Sequence, residues 1–387
     1  MTRKAPQIVC CFVVFCGLGS VLGGIEAATP IFRSFYHLPP ADAGIILSAF
    51  NLGGIVALAF LCLPLGARWP PTWVFQACFV GGCLGMVCTR QVVAFIACCV
   101  IGGAGTGALI VRINSYIVHA FRPDSTRMLN LVNAAFGAGS ILGPLLDGVG
   151  VRYNLAGAAI VIAACGGIRR LDERGGGIAM APPQADSRPT RWAGAALSFA
   201  LVTVLYSGLE TGLGTWGSSQ LIGLGYSVRS AAQTMSLFWV GLTIGRLWLQ
   251  LLKGKIEAAR LFAICVITSG LAIFLTMTSV TALVGYALTG FAVGPILPTL
   301  VALAAQRVAA IDSVTAAIFL GEALGNVTMP LVIGFAVART SLSSLPTVIA
   351  VVACCTYAAS RAAMRGTSAH VDQLLPESGD HSGRAVG

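Results

Sequence analysis

The chain has 387 residues, of which 56% are hydrophobic and 10% are charged, and its mean hydropathy is +0.86. Soluble domains carry about 25% charged residues. The composition therefore excludes an ordinary soluble protein and indicates an integral membrane protein. The formal net charge of +10 also has to be explained, because basic proteins often bind nucleic acids.

Apolar runs bounded by charged residues, prolines or turn residues predict twelve transmembrane helices, because a spanning helix needs about 20 mostly apolar residues. The first six are predicted over residues 8–30, 43–65, 73–89, 92–119, 129–149 and 153–168. The second six are predicted over residues 193–221, 230–252, 258–278, 280–306, 313–337 and 344–364. We therefore expect an all-α integral membrane fold with two six-helix bundles.

Basic residues are distributed unequally between the segments that join these helices. With the N-terminus placed in the cytoplasm, 17 of the 24 Lys and Arg residues fall in inner segments and 5 in outer joints. This asymmetry is the positive-inside pattern, and it predicts that both termini are cytoplasmic. The basic charge thus reflects membrane topology, and no nucleic-acid partner is expected. We expect a monomer in the plasma membrane, and the membrane of an organelle is the alternative.

The longest polar stretch lies in the middle of the chain and is rich in Gly, Pro and charged residues. We predict a cytoplasmic linker at residues 169–192, since this composition is typical of flexible segments. The linker separates an N-terminal bundle, residues 1–168, from a C-terminal bundle, residues 193–365. Residues 366–387 are predicted to form a disordered cytoplasmic tail.

Matching features recur in the two halves, in the same order and at a nearly constant spacing. Glu26 ends a Gly-Ile-Glu sequence in the first predicted helix, and Glu210 ends a Gly-Leu-Glu sequence in the seventh. Gly53 in the second predicted helix corresponds in the same way to Gly241 in the eighth. A Gly-Ser pair followed by Pro-Leu in the fifth predicted helix corresponds to a Gly-Asn pair followed by Pro-Leu in the eleventh. This recurrence predicts a parallel duplication of two pseudo-symmetric halves.

A parallel duplication with an intracellular linker resembles the plan of the major facilitator superfamily. Residues 206–216 (YSGLETGLGTW) resemble the seventh-helix signature of its fucose-permease-like branch of sugar–proton symporters, and residues 290–299 (GFAVGPILPT) resemble its tenth-helix signature. Residues 136–144 (FGAGSILGP) are similar to its fifth-helix motif, and Asn114 lies where its fourth helix carries an asparagine. The resemblance implies a secondary transporter that works by alternating access.

Some positions depart from that family pattern. The loop after the second helix usually carries a Gly, an Asp and basic residues, but residues 65–71 (LGARWPP) contain no Asp. Ile110 stands where the branch often places an acid four residues before Asn114, and Arg112 stands two residues before it. These departures indicate that proton coupling, if present, differs from that of the branch, or that the protein has another role.

Two acids are predicted to couple transport to protons. An ionisable side chain in mid-membrane costs about 2.5–3.5 kcal/mol on insertion scales, so a retained one usually faces a partner or a watery cavity. Glu26 lies four residues before Pro30, which matches the spacing of the first-helix acid used for proton coupling in the branch it resembles. Glu210 lies in the seventh-helix motif. Alternatively, Glu26 reaches the water of the outer headgroups.

Polar and aromatic side chains within the helices are predicted to bind the solute. An aromatic face beside hydrogen-bonding groups suits a sugar ring, and an arginine suits an anionic or hydroxyl-rich solute. The alternatives are that Arg112 snorkels to cytoplasmic headgroups, that Trp216 belongs to an interface belt, and that Glu322 pairs with Arg307. The predicted binding residues are Arg112, Asn114, Asn133, Glu210, Trp216, Glu322 and Asn326. Four prolines are predicted as kinks that assist gating: Pro144, Pro295, Pro298 and Pro330.

No enzyme motif is found in the sequence. It contains no Walker-type phosphate loop, no HExxH and no GxSxG, and its 13 cysteines form no CxxC pair. We therefore expect neither an enzyme, nor a cofactor, nor a metal site. The leading hypothesis is a proton-coupled transporter of a small polar solute, a sugar or related metabolite. The alternatives are an exporter or uniporter of organic anions or amphipathic compounds, and a transport-inactive membrane receptor.

Overall fold

The computed structural model describes residues 5–39, 42–61, 70–121, 125–166, 189–252, 255–308 and 311–372. Within these ranges the chain is helical and contains no β-strand. Of the linker predicted at residues 169–192, residues 169–188 lie outside the described residues. Residues 65–69 of the loop after the second predicted helix lie outside them as well.

The described residues of the first half form six helices: α1 (Ala5–Ala27), α2 (Thr29–Phe35), α3 (Ile45–Leu61), α4 (Thr72–Cys88), α5 (Val92–Ala120) and α6 (Ser125–Ala164). Helix α2 is a short extension of α1, and Pro30 in its first turn suits a helix start because proline lacks the N–H that would be unpaired there. Helix α6 is interrupted at Gly150, whose φ of 163° and ψ of 124° are those of extended chain. This interruption falls where the fifth and sixth predicted helices were separated.

In the second half, the part of the chain that the structure describes forms eight helices: α7 (Pro189–Ser207), α8 (Leu213–Gly223), α9 (Val228–Leu252), α10 (Ala258–Ala272), α11 (Ala282–Val293), α12 (Ile296–Arg307), α13 (Ile311–Arg339) and α14 (Leu345–Asp372). A five-residue π-helical segment, Gly208–Gly212, joins α7 to α8. A 3₁₀ turn, Ile273–Met277, extends α10, and another, Leu342–Ser344, precedes α14. Helix α14 continues beyond the predicted end of the twelfth span at residue 364.

Many of these helices have the length and composition of membrane spans. Eight described segments of at least 18 residues are apolar enough to cross a membrane, and the shorter apolar helices α3 and α4 add to them. Large apolar side chains such as Val93, Leu197 and Val280 are 73–86% exposed. Such exposure suits lipid rather than water, because soluble proteins rarely expose large contiguous apolar patches.

The buried apolar residues form two clusters. One runs from Cys11 to Cys165 and belongs to the first half of the chain. The other runs mainly from Phe199 to Met364 and belongs to the second half, but it also includes Ala27 and Ala43. Each half thus packs around its own core, and the two cores meet near the end of α1 and the start of α3.

Glycines allow helices within each half to approach closely, and the contacts repeat between the halves. A Cβ at Gly53 would collide with the carbonyl of Val100, and a Cβ at Gly103 with the carbonyl of Phe50. The equivalent collisions in the second half involve Gly241 with Ala287 and Gly290 with Phe238. The repeat recognised in the sequence therefore recurs in the structure as the same α3–α5 and α9–α11 packing. Small residues at such crossings are typical of membrane helices.

Replacing a contact glycine with alanine is expected to destabilise the protein. Gly139 of α6 faces the carbonyl of Cys16 on α1, and a Cβ there would collide with it. We expect Gly139→Ala to lower the thermal unfolding midpoint in detergent, since overpacking costs about 1–3 kcal/mol. Gly157→Ala on the same helix is the control, because nothing lies within 4 Å of its Cβ. Equal midpoints for the two variants would contradict this packing.

Candidate functional site

A cavity of about 470 Å³ lies between the two halves. Its wall is formed by α1, α3, α5 and α6 on one side, and by the π-helical segment, α9 and α13 on the other. This volume is in the range of small-molecule binding sites. The ionisable side chains at its wall are Glu26, Glu210, Arg246 and Glu322.

Glu26 lies at the end of α1 and is fully buried, with 0% of its surface exposed. Neither of its carboxylate oxygens has a hydrogen-bond partner among the described residues. Space for the carboxyl group exists because Gly214 of α8 has no side chain: a Cβ there would collide with Oε2. Glu26 therefore does not reach headgroup water, as the alternative interpretation required. It contacts the second half of the protein at the cavity wall.

Glu210 occupies the middle of the π-helical segment, where the helix is locally widened. Such segments occur frequently at functional sites, and this one lies between glycines that leave room for neighbouring helices: Gly208 faces Met329, and Gly212 faces Ile333. The hydroxyl of Tyr206, at the end of α7, donates a hydrogen bond to Oε2 of Glu210. Tyr206 lies about one helical turn before Glu210, and its hydrogen bond fixes the orientation of the Glu210 carboxylate.

An ion pair joins Glu210 to Arg246 of α9. Nη2 of Arg246 lies 3.2 Å from Oε1 and 3.4 Å from Oε2 of the carboxylate. The Arg246 side chain is 43% exposed and that of Glu210 is 13% exposed. Because the guanidinium is bound to a carboxylate, its charge is largely compensated within the protein, and the pair links the seventh and eighth predicted spans.

Glu322 and Asn326 lie one turn apart on α13, and both line the cavity. The alternative pairing of Glu322 with Arg307 is not observed among the described residues, in which Nη1 of Arg307 donates to the carbonyl of Met364 at 3.4 Å. Asn133 of α6 lines the cavity as well and donates to the carbonyl of Leu129 at 2.9 Å. Three of the predicted binding residues therefore surround the same space as the two predicted proton-coupling acids.

The two halves touch along one side of this cavity. The hydroxyl of Ser48 donates to the carbonyl of Val327 at 2.6 Å, and Nδ2 of Asn51 donates to the carbonyl of Asn326 at 3.1 Å. These contacts join the first turns of α3 to the second half of α13. On the same side, the hydroxyl of Ser236 donates to the carbonyl of Ile141 at 2.9 Å. From there the cavity extends towards the exposed Asn133, near the start of α6.

Arg112 and Asn114 do not reach the cavity. Nη2 of Arg112 donates to the carbonyl of Pro70 at 3.0 Å, and its guanidinium lies 5.8 Å from the centre of the Phe75 ring. Asn114 follows Val111, the last residue of α5 at the cavity wall, by three positions. Contrary to the prediction, neither residue is part of the cavity wall: Arg112 joins α5 to the start of α4, and Asn114 lies about one helical turn past Val111.

Trp216 is a packing residue of the second half. It is fully buried in α8, its Nε1 donates to the carbonyl of Pro330 at 3.0 Å, and its ring lies against Gly334 of α13. It is neither part of the cavity wall nor exposed at a membrane interface. Both interpretations made from the sequence are therefore wrong. The indole instead satisfies a carbonyl of α13, the helix that carries Glu322.

The four prolines have different local effects. Pro295 lies between α11 and α12, so the predicted tenth span is divided there, while Pro298 is the third residue of α12. Pro144 and Pro330 lie inside α6 and α13, which continue as helices around them. The interruption of α6 occurs at Gly150 instead of Pro144. Of the four prolines, only Pro295 lies at a break between two helices.

Asp147 of α6 belongs to a buried polar cluster between α1 and α6. Nδ2 of Asn154 donates to Oδ1 of Asp147 at 3.0 Å, and the hydroxyl of Ser20 donates to Oδ1 of Asn154 at 2.6 Å. A Cβ at Gly24 would collide with the amide of Asn154. This cluster holds the two helices together behind the cavity wall.

Sequence reasoning missed Arg246 and Tyr206 as residues of the site. Tyr206 was noted only as the first residue of the seventh-helix motif, and Arg246 was not considered as the partner of Glu210. The available signal was an arginine inside an apolar helix, which requires a partner or a polar cavity. Arg246 meets this requirement through its ion pair with Glu210.

A polar cavity enclosed between two helical halves of a membrane protein is the arrangement of a solute transporter. The sequence model of the Major Facilitator Superfamily matches residues 8–330. The chain therefore belongs to the major facilitator superfamily, as a multi-pass integral membrane protein and a transporter rather than an enzyme. A search of curated proteins finds no match.

Solved structures with the same fold include several transporters. The nucleoside transporter NupG is 14% identical, with a TM-score of 0.74, over 94% of this chain and 99% of that one. A bacterial homologue of the human drug peptide transporters PepT1 and PepT2 is 12% identical, with a TM-score of 0.71, over 96% and 100%. The xylose transporter XylE from E. coli is 13% identical, with a TM-score of 0.64, over 89% and 97%. At these identities the likeness shows the fold.

Proposed function

We propose that this protein is a proton-coupled secondary transporter of a small polar solute, a sugar or related metabolite. The observation that carries the proposal is the cavity between the two halves, to which both halves contribute carboxyl groups. In this proposal, residues 1–168 and 193–365 rock against each other around the cavity, with residues 169–192 as the linker. The protein acts as a monomer in the plasma membrane, with both termini in the cytoplasm.

Twelve spans are part of this proposal. Helix α6 counts as two spans that meet at Gly150, since a 40-residue helix would be about 60 Å long if it were continuous, twice the hydrocarbon thickness. The α7–α8 and α11–α12 pairs each count as one span, because a π-helical segment or a proline break divides them without reversing the chain. With α1, α3, α4, α5, α9, α10, α13 and α14, this gives twelve.

Contacts on one side of the cavity support alternating access. The hydrogen bonds of Ser48 and Asn51 to backbone carbonyls of α13 close the cavity on the side where α3 begins. With the positive-inside orientation, that side faces outward and the exposed Asn133 lies towards the cytoplasm. The arrangement then corresponds to an inward-facing state. Breaking these few side-chain-to-backbone bonds would allow the outward-facing state.

Proton coupling is proposed to involve Glu26 and Glu210. A carboxyl group buried without hydrogen-bond partners is accommodated at lower cost as the neutral acid than as the anion, so Glu26 suits a site that takes up and releases a proton. Glu210 carries its charge against Arg246. The acids lie on spans one and seven, where the resemblance to the fucose-permease-like branch implies the coupling acid of the first helix and the seventh-helix motif.

The cavity wall supports a hydroxylated solute. Asn133, Glu322 and Asn326 offer hydrogen-bond donors and acceptors on opposite sides of a space whose remaining lining is largely apolar. The arginine at the wall is already paired with Glu210, which argues against the alternative of an organic anion. The similar structures include transporters of nucleosides and of xylose, which supports a solute of this class.

Uptake into proteoliposomes tests the proposal. The full chain is reconstituted, and accumulation of labelled hexoses, pentoses, nucleosides and organic anions is measured with and without a pH gradient. We expect saturable uptake of a hydroxylated solute that rises when the outside is acidified. A transporter that moves only organic anions would contradict the proposed solute class. A protein that moves none of the solutes in either direction would favour the receptor alternative.

A further inference from the structure

A second polar site lies away from the central cavity, where the start of α10, the end of α12 and the last turns of α14 meet. This groove has a volume of about 540 Å³. Four arginines and one acid line it: Arg260, Arg307, Arg361, Arg365 and Glu257. Among the described residues of its lining, four arginines therefore accompany one acid, and this excess of positive charge lies outside the transport site.

The packing of three helices keeps these positive charges together. Arg361 and Arg365 lie one turn apart on α14 and are both exposed, and like charges at this spacing destabilise a helix. Arg307 is held at the end of α12 by its bond to the carbonyl of Met364 on α14. A bound anion would offset the repulsion within the groove. Arginine is well suited to a phosphate group because its planar fork donates two parallel hydrogen bonds.

An apolar stripe leads from the groove along α10. Arg260 is followed on the same helix face by Ile264, Ile267 and Leu271, which are 45%, 49% and 65% exposed. In a membrane protein such a face contacts acyl chains. A ligand with a phosphate at one end and hydrocarbon at the other therefore fits the groove and the stripe together, whereas a free phosphate would use the groove alone.

We propose that the groove binds the headgroup of an acidic phospholipid, with its acyl chains along Ile264, Ile267 and Leu271. The positive-inside orientation places the groove at the cytoplasmic leaflet, and basic pockets between helices on that side suit anionic headgroups. The site is independent of the solute and of proton coupling.

Native mass spectrometry of the full chain in detergent tests this site. Phosphatidylglycerol and phosphatidylcholine with identical acyl chains are added in equal amounts. We expect phosphatidylglycerol to bind preferentially, and the double variant Arg361→Gln/Arg365→Gln to bind it about tenfold more weakly. The double variant Arg90→Gln/Arg229→Gln is the matched control, because it removes two exposed arginines elsewhere and the same charge. It should bind like the parent protein.

Two further arms keep the test decisive. Arg260→Gln changes one exposed side chain on a different helix, and it should weaken phosphatidylglycerol binding even if the α14 variant unfolds. Inorganic phosphate at equal concentration should not displace the lipid. Equal binding of the two lipids, an equal loss in the control variant, or displacement by inorganic phosphate would each overturn the proposal.

Discussion

Glu26→Gln is expected to abolish uptake driven by a pH gradient and to leave the protein folded. The carboxyl group is fully buried and has no hydrogen-bond partner among the described residues. A glutamine has nearly the shape of the neutral acid, so it fits the same space beside Gly214. The glutamine cannot bind and release a proton, however, so the part of the transport cycle that moves protons should stop.

Two uptake measurements separate coupling from solute binding. Gradient-driven accumulation in proteoliposomes should fall by at least about tenfold, which corresponds to about 1.4 kcal/mol. Exchange of labelled for unlabelled solute at equal pH should persist, since it needs no net proton movement. Parent uptake should rise with outside acidity, whereas exchange by the variant should not depend on pH. Asp42→Asn, which changes an exposed acid away from the cavity, is the control. Gradient-driven accumulation by Glu26→Gln at the parent rate would rule out this role.

The order of the helices could be predicted from the sequence because apolar runs and polar joints directly reflect the thickness of the bilayer. Even the interruption of α6 at Gly150 falls between two predicted helices. The cavity acids could also be predicted, because an ionisable group in an apolar helix is costly unless it has a partner or a polar cavity. Glu26, Glu210 and Glu322 all follow this rule.

The direction of individual side chains could not be predicted. Helix α5 has apolar residues on every side, and its polar residues Arg112 and Asn114 are two positions apart and point to nearly opposite faces. Its sequence therefore does not indicate which face meets the cavity and which meets another helix. Arg112 therefore looked like a cavity residue, yet it contacts Pro70 and Phe75. Trp216 was misplaced for a similar reason, because its partner is a backbone carbonyl on α13. Every residue has a backbone carbonyl, so the sequence does not indicate which of them will accept a hydrogen bond from a side chain.

The pairing of Glu210 with Arg246 was also beyond the sequence. The two residues lie on different helices, and many other residues separate them along the chain. The π-helical segment changes the angular position of Glu210 relative to the rest of its span, so a regular helix would turn the carboxylate to another face. Only the structure, in which the Arg246 side chain of α9 reaches Glu210, reveals the pair.

Arg246→Leu is expected to impair both stability and transport, because it leaves the Glu210 carboxylate without its cation at the cavity wall. The Glu210 carboxylate is only 13% exposed, and leaving such a charge without its partner costs more than removing both members of the pair. The double variant Glu210→Gln/Arg246→Leu should therefore recover much of the stability. It should not recover transport, since the charge of Glu210 and its link to α9 are both lost.

A double-mutant cycle measures this coupling. Thermal unfolding in detergent and solute uptake are compared for the parent, Glu210→Gln, Arg246→Leu and the double variant. We expect a coupling energy of about 0.5–2 kcal/mol in stability, reduced by the 43% exposure of the Arg246 side chain. Arg229→Leu on the same helix is the control, because it changes an exposed arginine at the start of α9. Strictly additive losses in the double variant would show that the two side chains act independently. Recovery of transport by the double variant would show that the pair serves only to hold the helices together.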